Sequence, residues 1–191
     1  MAGKGAPHKN NKMRIIGGKH GGRKITPPSK MPHTRPTTDI AKEGLFNILQ
    51  NQVDFEGMKT LDLFGGTGAI TYELASRGAS DLTIVEKDNK MADFIKQNID
   101  KLALENCKLI RGEVFKFLET CNNQYNFIFA GPPYALDTID ELPRIIVSNG
   151  LIAENGVFVL EHTPRNDYKT FKGYFKERNY GTTIFSFFER V

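Results

Sequence analysis

Tryptophan is absent from this 191-residue chain, and cysteine occurs only twice. Cys107 and Cys121 have no CxxC spacing and no histidine cluster beside them. That pattern points to a reduced, cytoplasmic protein without structural zinc. No apolar stretch approaches the ~20 residues needed to cross a bilayer, so no membrane association is expected. The N-terminus lacks an apolar h-region, so no secretory signal is expected either. Acidic residues are missing from the first 38 positions, which hold nine Lys and Arg. The remainder carries 17 basic and 22 acidic residues. A basic arm is therefore joined to a mildly acidic body, an asymmetry that suits a polyanionic partner.

Hydrophobic residues make up 39% and charged residues 25%, ordinary values for one globular domain of this length. Residues 1–11 show no apolar pattern and read as a disordered basic tail. Residues 12–36 read as a basic hairpin and a Pro-rich linker. In "MRIIGGKHGGRKITPP", Arg14-Ile15-Ile16 and Arg23-Lys24-Ile25 flank a glycine-rich turn. Arg14, Lys19, His20, Arg23 and Lys24 are the candidate contacts to a polyanion's phosphates, with Lys19, His20 and Arg23 near the tip. Pro27, Pro28, Pro32 and Pro36 argue for an extended crossing.

Residues 37–191 alternate strand and helix patterns. A helix capped by Thr37 or Thr38 presents Ile40, Leu45, Ile48 and Leu49 on one side. Strands follow at 60–64, 82–86, 107–112, 126–130 and 156–162, with helices at 69–78, 89–104, 114–120 and 138–150. "YFKERNYGTTIFSFFER" reads as two strands turned at Tyr180-Gly181, its phenylalanines (with Phe171) as core. The expectation is an α/β fold: a mostly parallel seven-stranded sheet, covered on both faces, with an antiparallel C-terminal hairpin. Ligands of such sheets bind beyond the carboxyl ends of the strands, near the switch in strand order.

"DLFGGTGAI" (62–70) joins the first of these strands to a helix. Gly66 and Gly68 let the backbone approach a ligand, and a helix N-terminus favours an anionic group. A dinucleotide fingerprint fails, because its third glycine falls on Thr71. Asp62 suits a cationic group instead. S-adenosylmethionine, with its ammonium, carboxylate and sulfonium, fits an Asp beside a glycine loop. Glu86, about 20 positions on, is placed for ribose hydroxyls. Glu113, after the third strand, is placed for an adenine amine. Each carboxylate also has a plain reading, as a loop cap or a solvated charge.

In their order, "MRIIGGKHGGRKI", "RPTTDIAKEGLFNIL", "LDLFGGTGAI", "ELASRGA", "VEKD", "AGPPY" and "GVFVLEH" resemble the bacterial RsmD family of small-subunit ribosomal RNA guanine-N2 methyltransferases. The similarity runs from about Met13 to Glu189. The resemblance implies a class I, Rossmann-like fold dependent on S-adenosylmethionine. It implies that Arg35, Pro36 and Thr37 close over the cofactor, and that Asp62, Phe64, Gly66, Gly68, Glu86 and Glu113 line its pocket. It implies small-subunit ribosomal RNA, or a partly assembled subunit, as partner. A monomer without a metal is expected.

The catalytic candidates are Gly131, Pro132, Pro133 and Tyr134. The family's loop begins with Asp where this chain has Gly131. An exocyclic amine is a poor nucleophile and must be held in line with the methyl, within ~3–3.5 Å. An Asp carboxylate would accept an amine hydrogen and steady the developing positive charge. Gly131 offers no such acceptor, though the Pro132 carbonyl remains and Tyr134 suits base stacking. The expectation is intact cofactor binding with weakened transfer. Glu161 and His162 either line the site or cap the sheet. Alternatives are an adenine-N6 or glutamine-N5 methyltransferase, and a cofactor- and RNA-binding assembly factor without turnover.

Overall fold

The computed structural model describes residues 12–31 and 36–191. The tail assigned to 1–11, and Arg35 with its expected role over the cofactor, lie outside the described residues. Antiparallel β1 (Met13–Arg14) and β2 (Lys24–Ile25) form the expected hairpin, one residue out of the anticipated frame. Its apolar side is real: Met13, Ile15 and Ile25 pack with Tyr72 and Leu102.

Helix α1 (Asp39–Leu49) starts at Thr38, whose side chain accepts the Ala41 N–H, as a capping threonine should. Its buried stripe is Ala41, Leu45, Phe46 and Leu49. Ile40, expected on that stripe, is 76% exposed, one position out of phase with it. Gly44 lets α1 pack closely on Tyr180: a Cβ there would lie 2.3 Å from the ring, which would have to shift.

The body then alternates: β3 (Lys59–Leu63), α2 (Ala69–Ser76), β4 (Asp81–Glu86), α3 (Asn89–Lys101), β5 (Cys107–Arg111), α4 (Val114–Thr120), β6 (Tyr125–Ala130), α5 (Glu141–Ser148), β7 (Ile152–His162), β8 (Tyr174–Tyr180) and β9 (Thr183–Glu189). The seven-stranded sheet has the order β5-β4-β3-β6-β7-β9-β8. β3 to β7 run parallel, and β9 lies antiparallel between β7 and β8. Successive side chains of β6 face opposite ways. Ile128 and Ala130 join the core under α4 and α5, whereas Phe127 and Phe129 join the core under α1 and α2. The strand order reverses between β3 and β6, which sets the carboxyl ends of β3, β4 and β6 around one opening.

Two boundaries differ for local reasons. Residues 138–140 form turns before α5 instead of its first turn, and the Asp140 carboxylate accepts from the Tyr168 hydroxyl. β7 begins four residues early because its pairing with β6 shifts register beside Asn155, which has φ 58°. Of the C-terminal phenylalanines, Phe185, Phe187 and Phe188 are buried. Phe175, on edge strand β8, is 42% exposed, against the expected core role. Among the described residues no helix is long and apolar enough to cross a membrane.

The hairpin is latched to α2. The Glu73 carboxylate accepts the N–H groups of Ile16 (2.8 Å) and Gly17 (2.9 Å). Ser76 accepts the His20 N–H through Oγ at 2.8 Å and the Lys19 N–H through its carbonyl at 2.7 Å. Gly18 makes this possible: its φ is +74°, and a Cβ there would sit 1.8 Å from the Ser76 carbonyl oxygen. Gly18→Ala is therefore expected to destabilise the protein by about 1–3 kcal/mol and to free the hairpin. A lowered Tm with faster proteolysis near residues 14–24 is the expected result. An unchanged melt with unchanged protection contradicts the latch.

Candidate active site

β3 delivers the first functional group. Asp62 lies one residue from the carboxyl end of that strand, 2% exposed, and accepts the Thr71 hydroxyl at 2.7 Å. Burial pushes its carboxyl up to about 7, and the charge of Glu86 adds to the rise. The chain then leaves the strand through Phe64, a non-glycine residue with φ 63°. Backbone strain of that kind is concentrated at functional sites. Gly65 packs so closely that a Cβ would lie 2.6 Å from Ile84. The N–H of Gly66 donates to Glu86 at 2.7 Å, tying the loop to the end of β4. Glu86 also accepts the Asp88 N–H at 2.8 Å, and Asp88 in turn caps α3.

These groups surround a cleft of about 700 Å³ at the carboxyl ends of the strands. Of the residues expected on cofactor grounds, Pro36, Thr37, Asp62, Phe64, Gly66, Glu86 and Glu113 line it. Gly68 does not. It sits behind the wall with φ +79°, where a Cβ would meet the Tyr72 ring at 2.4 Å, so its need is conformational. Glu113 stays largely exposed and pairs with Lys87 at 3.5 Å.

The "GPPY" loop closes the same cleft. Gly131, Pro132, Pro133 and Tyr134 all line it, beside Phe129. The Gly131 N–H donates to the Leu63 carbonyl at 3.3 Å, so the two strand ends are joined at the switch point. Tyr134 donates its hydroxyl to Glu161 at 3.1 Å. Glu161, on β7, is 4% exposed and also accepts the Thr37 hydroxyl. The sequence left Glu161 and His162 undivided; the strand pleat divides them. Glu161 faces the cleft-lining residues. His162 faces the other way, its Nε2 2.8 Å from Ser186 Oγ and its ring edge-on to Tyr168.

Arg14, Lys19, Arg23 and Lys24 are exposed. His20 differs: it is 7% exposed, with its backbone N–H bonded to Ser76 of α2, so its ring offers little surface to a phosphate.

The fold and cleft define a class I methyltransferase architecture. The family profile described as Conserved hypothetical protein 95 matches residues 13–189, and the chain belongs to that family. It is similar to "Ribosomal RNA small subunit methyltransferase D" of Escherichia coli (strain K12), with 30% identity over 161 residues, 84% of this chain and 80% of the relative. It is equally similar to the protein of that name from Haemophilus influenzae, 30% identical over 159 residues, 81% of each chain. Among solved structures, "Putative methyltransferase yhhF from Escherichia coli" superposes with a TM-score of 0.82 at 27% identity, over 94% of this chain and 98% of the other.

The raised Asp62 carboxyl has a sign that can be tested without ligand. Unfolded, it ionises near 3.8; folded, near 7. The cost to folding thus grows as pH rises between those values and is complete above about 7. Asp62→Asn keeps an acceptor for Thr71 and removes the charge. Its Tm gain should be larger at pH 8 than at pH 5. An equal gain at both pH values contradicts the raised carboxyl.

Proposed function

We propose that this chain transfers a methyl group from S-adenosylmethionine to the exocyclic N2 amine of a guanine in small-subunit ribosomal RNA. The observation that carries the reading is the meeting, in one cleft, of a buried carboxylate, a strained glycine loop and a Pro-Pro-Tyr loop. The names of the relatives at 30% identity support the RNA class.

The residues fit the cofactor. Asp62 is a buried carboxylate whose charge lacks solvation, and a cationic ammonium compensates it. Gly66 lets the loop backbone come close, and Glu86 stands at the strand end where ribose hydroxyls are received. Pro36, Thr37 and Glu113 line the same cleft. When bound, S-adenosylmethionine supplies an electrophilic methyl on a sulfonium sulfur.

The chain's own residues handle the amine. The Pro132 carbonyl accepts one amine hydrogen, and the two prolines hold the loop's shape. Tyr134 offers its face to an extruded base. Arg14, Lys19, Arg23 and Lys24 meet the phosphate backbone and set the RNA's position, with no sequence reading required of them. Residues 12–36 thus serve as the RNA-contacting extension and 37–191 as the methyltransferase domain, acting as a cytoplasmic monomer. A partly assembled subunit is a fitting substrate, because a small single domain has little surface with which to specify one nucleotide.

The first test uses radiolabelled S-adenosylmethionine with small subunits from cells lacking their own enzyme of this kind. Label at guanine N2 is the expected result for the natural chain, with Gly131→Asp run beside it. Label with Gly131→Asp alone makes the natural chain a binding protein without turnover. Label with neither, while both bind the cofactor, removes the guanine assignment. Neutralising Lys19 and Arg23 together should weaken RNA binding and lower its salt slope by about one for each phosphate that is no longer neutralised. An unchanged slope takes the hairpin out of the interface.

A further inference from the structure

We propose that Tyr72 is a positioning residue that joins the seating of the basic hairpin to the shape of the glycine loop, so that an occupied cofactor cleft and a docked hairpin favour one another. The inference rests on the cofactor reading above and deepens it. Its basis is the start of α2, where three successive side chains serve three neighbours. The Thr71 hydroxyl donates at 2.7 Å to Asp62, which lines the cleft. Glu73 accepts the Ile16 and Gly17 N–H groups of the hairpin. Tyr72, between the two in sequence, touches both the hairpin and the loop.

Tyr72 is fully buried. Its ring packs with Met13, Ile15 and Ile25 of the hairpin and with Leu102. At its other end, a Cβ built on Gly68 would stand 2.4 Å from both the ring Cζ and the hydroxyl oxygen, so the tip of the ring rests on the glycine itself. A helical side chain leans back over the preceding turn, which brings residue 72 onto residue 68. Gly68 in turn shapes the loop. Its N–H donates to the Gly65 carbonyl at 2.8 Å, and its own carbonyl accepts the Tyr72 N–H at 3.0 Å. That closes the turn carrying Gly65, Gly66 and Thr67 past the cleft. The Tyr72 hydroxyl has no hydrogen-bond partner among the described residues. Burying such a donor costs stability, so packing against Gly68, and not a hydrogen bond, fixes the ring.

Coupling needs an element with two states, and the hairpin is one. Its ladder is two residues per strand, Met13–Arg14 against Lys24–Ile25. A ribbon that short is not stable alone. It keeps its form while Ile15 and Ile25 have Tyr72 to pack on and Glu73 accepts from its backbone. Seated, the hairpin covers the Tyr72 ring and confines its tip against Gly68. Unseated, it opens the ring and its hydroxyl to water and relaxes the contact with the loop. A ligand that binds the ordered loop therefore favours the seated state, and a seated hairpin favours the ligand by the same factor. The cofactor-loaded protein thus has its basic residues in place before RNA arrives.

Amide hydrogen exchange, with and without S-adenosylhomocysteine, tests this without RNA or turnover. The reporters are Ile15, Ile16, Gly17, Lys19 and His20, whose N–H groups hold the hairpin's turn and its seat. In the ligand-free chain they should exchange faster than the central strand β6, by opening of the hairpin alone. Saturating S-adenosylhomocysteine should slow them about fivefold or more, the low end of ordinary coupling between sites. Tyr72→Leu stays apolar for the hairpin but lacks the ring tip on Gly68; it should bind the ligand and lose the slowing. Tyr72→Phe keeps the ring and should keep the slowing. A purely structural Tyr72 would lower the Tm of Tyr72→Leu and leave the slowing in place.

Hairpin amides that exchange only together with β6 overturn the proposal, because the hairpin then has no state of its own. Slowing that survives in Tyr72→Leu overturns it as well. Should Tyr72→Leu fail to fold, the natural chain and Tyr72→Phe decide: slowing must appear in the first and persist in the second, and its absence from either overturns the proposal. No binding of S-adenosylhomocysteine by the natural chain removes the cofactor reading and this one with it. Binding with an unmoved hairpin removes this one alone.

Discussion

The Glu73 carboxylate holds the N-terminal hairpin to the α/β body. It is fully buried in α2, yet accepts two N–H groups from the hairpin and the Arg77 guanidinium at 2.8 Å. A buried carboxylate left without partners costs several kcal/mol, so undocking the hairpin is penalised. From α1, buried Lys42 donates to the Arg14 carbonyl at 2.6 Å, adding a second tie from the opposite charge. The hairpin is thereby fixed on two helices. One of them, α2, begins directly at the glycine loop. Among the described residues, the exposed basic hairpin and the glycine loop are thus joined through α2.

Much of this was legible in the sequence, for identifiable reasons. The alternation of apolar strands with 3.6-period helices specified the sheet's parallel part. Asp62, Gly66 and Glu86 stood out because they fall at consecutive strand ends. Glu73 did not stand out. In "AITYELASRG" it is one charge on a short helix, and a charge on a helix reads as solvated. Only the docking of Gly17, 56 positions away along the chain, reveals it as a backbone acceptor. His20 was misread for the complementary reason. Its basic neighbours Lys19 and Arg23 suggested an exposed tip, while the tight turn at Gly18 rotates it inward. Ile40 shows the limit of periodicity at a helix's first turn, where one position of phase decides burial from exposure.

The buried acids of this protein serve different ends, and their partners tell them apart. Glu73 is saturated by backbone donors and a guanidinium, so its charge serves to hold structure. Glu86 likewise receives two backbone N–H groups, which order the loop, while still facing the cleft. Asp62 has a hydroxyl partner, and burial, with the charge of Glu86 adding to it, raises its carboxyl to about 7 against the pull of that hydrogen bond. On the proposed reading, a positive ligand group beside Asp62 would recover the stability forgone there.

The loop's shape does not depend on which side chain stands at 131. Pro132 and Pro133 fix their own φ angles, and the Leu136 N–H closes back on the Pro133 carbonyl at 3.0 Å. The Gly131 N–H is anchored to Leu63 by its backbone alone. Tyr134 is held through Glu161, on another strand. A change at 131 therefore alters the site's charge while leaving its frame in place. The sequence shows residue 131 beside the prolines, whereas the Glu161 carboxylate, 30 positions away, comes near it only in the folded sheet.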